Sequence, residues 1–151
     1  MSEPSRHVVC PLCGAVNRIP GNRPARQARC GTCHQPVFTG KPVAVQIDAF
    51  ERHVRRDDIP VVVDFWAPWC GPCKAMAPAY ERAAAALEPD FRLLKVNADE
   101  EPMLSNRYEI RSIPTLMLFS GGVPVARTAG AMDTAGIVGW AKSHAPGVAS
   151  R

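Results

Sequence analysis

The pentapeptide Trp69-Cys70-Gly71-Pro72-Cys73 restricts the fold of this chain more than any other stretch. It follows an apolar run, Val61-Val62-Val63-Asp64-Phe65-Trp66, and precedes an alanine-rich segment from Lys74 to Leu87 whose larger apolar residues recur at helical spacing. The pattern predicts a strand, a tight turn and a helix. Two cysteines three positions apart at the first turn of a helix carry their sulfurs on nearly the same face, within reach of a disulfide. Cys70 falls at the helix N-terminus, where unpaired N–H groups and the helix dipole favour a thiolate, so it is expected to be the attacking sulfur. Cys73, one turn further in, is expected to be buried behind Trp69 and Pro72 and to act as the resolving thiol. Proline suits a helix start, since its fixed φ is helical and its missing N–H would have been unpaired there. The alternatives for this pair are a structural disulfide or half of a metal site.

The other four cysteines form Cys10-Pro11-Leu12-Cys13 and Cys30-Gly31-Thr32-Cys33, with sixteen residues between the pairs. That spacing is characteristic of a four-thiolate zinc ribbon, in which each pair forms a knuckle and the intervening chain folds back as a hairpin. Gly14 after the first pair and Gly31 inside the second suit the turns. A module of this size buries too little apolar surface to fold unaided, and a structural zinc supplies on the order of 10 kcal/mol of coupled binding and folding energy. Two structural disulfides are the alternative, which a reducing cytoplasm would not maintain. His7 and His34 are read as surface residues. Residues 1–42 carry six basic residues against Glu3, a net +5, while the remaining 109 residues carry −1, within an overall charge of +4. The N-terminal residues lack the apolar core and cleavage site of a secretory signal, and no run approaches a membrane span, so a cytoplasmic location without membrane association is expected.

In chain order the reading is a ribbon over 1–38, a linker over 39–42, a redox domain over 43–145 and a loose tail over 146–151. Val43 to Val45 reads as a short edge strand, and Asp48, three before Glu51, as the cap of a helix running to Arg56. The strand 61–66 is apolar on both faces, as for a central strand covered by helices on either side. Asp64 is anomalous there, because a carboxylate in such a run either reaches a strand end or has an elevated pKa. Pro78 is expected to kink the long helix, whose core face is Met76, Tyr80, Ala84 and Leu87. Phe91 to Asn97 reads as a strand parallel to the central one, then a short helix over 100–108, a strand over 116–119, a Gly121-Gly122 hairpin turn, a last strand over 123–128 and a final helix around Ile137 to Ala141.

Trp69-Cys70-Gly71-Pro72-Cys73 between a valine-rich strand and a helix resembles the active site of thioredoxins, and the resemblance extends over about 105 residues. With the ribbon, including Asn17-Arg18-Ile19-Pro20, it narrows to the zinc-containing bacterial group called thioredoxin 2. It implies an α/β thioredoxin fold, a mixed central sheet with helices on both faces, preceded by a small zinc ribbon. It further implies proton transfer between Asp64 and Cys73 through water, with Lys95 holding down the Asp64 pKa. The same resemblance puts a cis bond at Ile113-Pro114 facing the disulfide, leaves the Ile113 backbone free to pair with an extended substrate, and places Gly130 on the substrate groove.

The activity so implied is reduction of client-protein disulfides by a Cys70/Cys73 dithiol. Trp69, Gly71, Pro72, Asp64 and Lys95 complete the catalytic set, and Ile113, Pro114 and Gly130 bind substrate. Electrons would come from NADPH through a thioredoxin reductase. One zinc held by Cys10, Cys13, Cys30 and Cys33 is the expected cofactor, with no organic cofactor, and a monomer is expected. Residues 43–151 contain every element of the redox fold, so the ribbon is expected to be dispensable to the chemistry. Two other readings are a redox sensor or holdase that releases zinc on oxidation, and a nucleic-acid-binding ribbon fused to a redox domain. Against nucleic acid, the basic stretch 18–29 has no aromatic residue to stack on bases, with only Phe38 nearby.

Overall fold

The computed structural model describes residues 4–146, so the expected tail lies outside the described residues from 147 on. The chain opens with a two-stranded antiparallel sheet, β1 (Arg6–Val9) and β2 (Val16–Ile19), in which Val9 stands opposite Val16 and the first cysteine knuckle is the connecting turn. A 3-10 turn over Ala25–Gln27 leads to the second knuckle, closed by a bridge between Arg29 and Pro36. Val8, Ile19, Val37 and Phe38 give this unit a small core together with Cys10 and Cys30.

The remainder contributes β3 (Val43–Ala44), α1 (Ile47–Arg56), β4 (Val61–Trp66), α2 (Gly71–Leu87), β5 (Arg92–Asn97), α3 (Pro102–Arg107), β6 (Thr115–Ser120), β7 (Val123–Ala129) and α4 (Thr134–His144). The sheet order is β3-β5-β4-β6-β7. β3 and β4 run parallel to β5, as a helical crossover requires, whereas β6 is antiparallel to β4 and β7 to β6. Alternation along β4 separates two cores. Val62 faces α2 and α4 with Leu93, Leu116 and Leu118, whereas Val61, Val63 and Phe65 face the side where Phe50 and Val54 of α1 and Leu104 of α3 pack. Among the described residues no helix is long and apolar enough to cross a membrane.

Two local expectations, the cap of α1 and the length of α3, are corrected. α1 starts at Ile47 with Gln46 as its N-cap, and no side chain caps it. Asp48 sits inside the first turn, where the dipole still favours an acid, and Glu51 pairs with Arg107 and Arg55 in place of a capping box. α2 continues through Pro78, which lies on its exposed side, where the carbonyl left without an N–H partner can face water. α3 is shorter than expected and begins at Pro102, a residue favoured in the first turn of a helix.

The ribbon rests on the redox fold. Ile59, between α1 and β4, joins the ribbon core, and Arg52 of α1 donates to the Gly14 carbonyl at 3.0 Å. The peptide N–H of Asp58 donates to the His7 carbonyl at 2.8 Å, and the N–H of His7 returns to Asp58 Oδ2 at 2.7 Å.

Candidate active site

Cys70 is the N-cap of α2 and Gly71 its first residue, so the motif folds as the sequence predicts. Cys70 and Cys73 are disulfide-bonded with Cα atoms 5.3 Å apart. The N–H of Cys73 points at Cys70 Sγ from 3.2 Å. This orphan donor of the first turn would otherwise be unpaired, and it favours negative charge on that sulfur. Cys70 and Cys73 are only 4% and 3% exposed. Their cover is Trp66, Ala67 and Ile113, not Trp69 and Pro72 as expected, for both of those face solvent. Trp69 is 69% exposed and is steered by its indole N–H, which donates to Asp99 Oδ2 at 2.6 Å.

Asp99 was not legible as a site residue. It is held after β5 by Asn97, whose side-chain oxygen accepts the N–H of Asp99 at 3.0 Å and of Glu100 at 3.3 Å. The only sequence signal was an asparagine at a strand end, which favours such a turn.

Asp64 lies in mid-strand on the face that α2 covers, in register with Lys95 on β5, and is 1% exposed. Among the described residues its Oδ1 finds no hydrogen-bond partner. The nearby Tyr80 hydroxyl is directed at the main-chain carbonyls of Leu94 (2.7 Å) and Val62 (3.2 Å). Burial pushes the Asp64 carboxyl up to about 7, and the positive charge of Lys95 opposes that rise. Lys95 is half-buried, with Nζ 4.6 Å from the Trp66 ring centroid. A carboxyl so placed changes charge near neutral pH.

The Ile113-Pro114 bond is cis, and the Ile113 carbonyl oxygen lies 3.7 Å from Cys70 Sγ. Among the described residues no main-chain hydrogen bond uses the peptide groups of Ile113. Gly130 has φ +100° and donates its N–H to the Pro114 carbonyl at 2.9 Å, which ties the end of β7 to the cis-proline loop. A groove of about 500 Å³ runs beside Cys70 between Trp69, Asp99, Arg111 and Ile113.

At the far end of the chain the four remaining sulfurs all lie within 4.8 Å of one another. The closest pairs are Cys10 with Cys33 at 3.6 Å and Cys13 with Cys30 at 3.5 Å. A tetrahedral zinc with Zn–S bonds of about 2.3 Å places its sulfurs about 3.8 Å apart, so the set fits one ion. The knuckles repeat each other. The N–H of Leu12 meets Cys10 Sγ and that of Thr32 meets Cys30 Sγ, both at 3.4 Å. The residue after each second cysteine is left-handed, Gly14 at φ +78° and His34 at φ +67°. His34, not Gly31, is therefore the turn residue of the second knuckle. His34 and His7 are both exposed, and His7 pairs with Asp58.

The family model described as Thioredoxin matches residues 41–143, and the one described as Thioredoxin 2, N-terminal, matches residues 9–35. Thioredoxin C-3 of Corynebacterium nephridii is 38% identical over 133 residues, covering 88% of this chain and 91% of that protein. A thioredoxin of Rickettsia bellii is 40% identical over 96 residues, covering 64% of this chain and 91% of its own. Among solved structures, a mutant thioredoxin from Halobacterium salinarum NRC-1 superposes with a TM-score of 0.64 at 30% identity, covering 71% of this chain and 93% of that one.

Proposed function

The chain belongs to the thioredoxin family and is a thiol-disulfide oxidoreductase, and from that premise we propose that it reduces disulfides of cytoplasmic client proteins with Cys70 as nucleophile and Cys73 as resolving thiol. The Cys70 thiolate attacks one sulfur of a client disulfide, forming a mixed disulfide and releasing the other client sulfur as a thiolate. Cys73 gives its proton to Asp64, and its thiolate attacks Cys70 Sγ, which releases the second client sulfur as a thiolate, protonated from solvent, and leaves Cys70–Cys73 oxidised. Two electrons pass from the dithiol to the client, and NADPH restores them through a thioredoxin reductase. The observation that carries this reading is the Cys73 N–H aimed at Cys70 Sγ at the start of α2. Alkylation of the reduced protein tests it: Cys70 should react first, and at a lower pH than an ordinary thiol.

Lys95 limits the rise of the Asp64 pKa, Gly71 and Pro72 form the turn between the thiols, and Trp69 with its Asp99 partner frames the groove. An extended client segment would pair with the main chain of Ile113, beside Pro114 and Gly130. At Gly130 an added Cβ would meet nothing within 4 Å, so the cost of replacement lies in the backbone. Gly130→Val should cost on the order of 1–2 kcal/mol for a side chain at positive φ, read by denaturant titration. It should also raise KM for protein disulfides more than for a small disulfide.

We read residues 1–38 as the ribbon, 39–42 as linker and 43–145 as the redox domain. Cys10, Cys13, Cys30 and Cys33 would hold one zinc, which supplies folding energy to the ribbon and no step of the reaction. Metal analysis should find one zinc per chain. Chelation under reducing conditions should lower Tm by several degrees, each lost kcal/mol being worth roughly 2–4 °C, while the Cys70/Cys73 dithiol still reacts at 25 °C. A second reading, that the ribbon also responds to oxidants, is favoured by the exposure of Cys13 and the partial exposure of Cys33. Zinc release under peroxide tests it.

A further inference from the structure

Arg92, the first residue of β5, is fully buried, and nothing in the dithiol chemistry uses it. Its charge is balanced by Asp57 and Glu88, but at separations of 3.9 and 3.6 Å, too long for hydrogen bonds, and its Nε and Nη1 have no hydrogen-bond partner among the described residues. Among the described residues the hydrogen bonds its side chain does make both run from Nη2 into the ribbon, to the carbonyls of Val9 and Val37, each at 3.0 Å. The Phe38 ring lies against the guanidinium, its centroid 4.9 Å away.

These contacts have a consistent geometry. Val9 immediately precedes Cys10, and its N–H donates to Asp57 Oδ1 at 2.7 Å while its carbonyl accepts from Arg92. Both main-chain groups of the residue entering the first knuckle are thus held by one buried ion pair. Val37 lies four residues past Cys33, where its N–H donates to the Ala28 carbonyl and its C=O accepts from Arg92. Glu88 holds the linker, accepting the N–H of Gly40 at 2.7 Å, and His53 Nδ1 lies 2.7 Å from Asp57 Oδ2.

We propose that Arg92, a residue of the redox sheet, is a positioning residue for the four-cysteine centre: it fastens the strand entering the first knuckle to the chain leaving the second. A planar guanidinium is suited to this, since one of its nitrogens can serve two carbonyls while carboxylates flank the others. A neutral side chain at 92 would leave two buried carbonyls without that donor and remove the guanidinium charge that faces Asp57 and Glu88. The ribbon is then not a tethered accessory. Its sulfurs keep their spacing because β5 is intact, and the two parts open together.

The inference concerns the centre that we read as zinc-binding, so metal content is measured first; a metal-free preparation would contradict the zinc reading alone, because hydrogen exchange tests Arg92 with or without metal. In the unmodified full-length protein the amide of Val9 should exchange no faster than those of β4 and β5. Exchange of Val9 tenfold or more faster than β5 would overturn the proposal. In zinc-loaded Arg92→Leu, metal transfer to a chelator at 25 °C should accelerate at least tenfold, and Val9 and Val37 should lose at least tenfold in protection while β4 retains its own. Arg92→Lys should recover only part of both effects. Unchanged release and protection in Arg92→Leu, or equal losses in β4 and the ribbon, would show that Arg92 merely fills the core. If Arg92→Leu does not fold, the exchange of the unmodified protein decides.

Discussion

Replacing Cys70 by serine should reduce disulfide reduction at least about 10³-fold, as expected when the nucleophile itself is removed. Cys73→Ser should be equally inactive in turnover, but for a different reason: Cys70 still attacks, and nothing releases it. Incubated with disulfide-bonded proteins and separated without reductant, Cys73→Ser should therefore run as covalent adducts and Cys70→Ser should not. The asymmetry follows from position. Cys70 caps α2 and receives the N–H of Cys73, whereas Cys73 lies inside the helix, beneath Trp66, Ala67 and Ile113. Adducts with both variants in equal yield would show that the field at the helix start does not distinguish the two sulfurs.

Asp64→Asn should make the protein more stable and a slower enzyme. The carboxyl is lifted from an ordinary 3.8 to about 7 by burial, so between those values the folded protein holds a proton that the unfolded chain has released. Stability must then fall as pH rises through that window, by about 4 kcal/mol in total, and asparagine escapes the loss. The gain from the substitution should be near its full size at pH 8 and should shrink toward zero by pH 4, measured by urea titration across that range. The cost should appear in resolution of the mixed disulfide. In the natural protein that step should accelerate as Asp64 loses its proton near pH 7. In Asp64→Asn the inflection near 7 should vanish and the neutral-pH rate should drop roughly 10²-fold, the usual worth of a positioned base. A gain in stability without the kinetic loss would leave Asp64 as a buried carboxyl with no part in the reaction.

Much of this was legible because it is local. Trp69 to Cys73 fixes a strand-turn-helix by spacing and proline alone, the two cysteine pairs mark a four-cysteine ribbon by their spacing, and Asp64 is conspicuous as one carboxylate in six strand residues. The cis bond before Pro114 and the place of Gly130 came only from resemblance, since neither has a local signature. What sequence could not supply was pairing over long separations. Arg92 reads as an unremarkable residue at a strand start, and its partners come from four separate places: Val9, Val37, Asp57 and Glu88. The expectation that the chemistry of residues 43–151 does not need the ribbon rests on their complete elements, and the buried charge they share with the ribbon had no signal in the sequence. Asp99 escaped for a similar reason, since it matters only because Trp69 turns toward it across thirty residues. The knuckle turn at His34 was missed because glycine was sought where a left-handed residue was needed.

Electron flow through one dithiol is the central chemistry of this protein as proposed. NADPH oxidation should be followed with thioredoxin reductase, the zinc-loaded chain and a disulfide-bonded protein, with thiols on that protein counted at the end. Steady NADPH consumption is expected, matched by two new client thiols per NADPH, dependent on the chain and absent with Cys70→Ser. Reduction of the Cys70–Cys73 disulfide followed by no transfer to the client, or transfer that persists in Cys70→Ser, would contradict it.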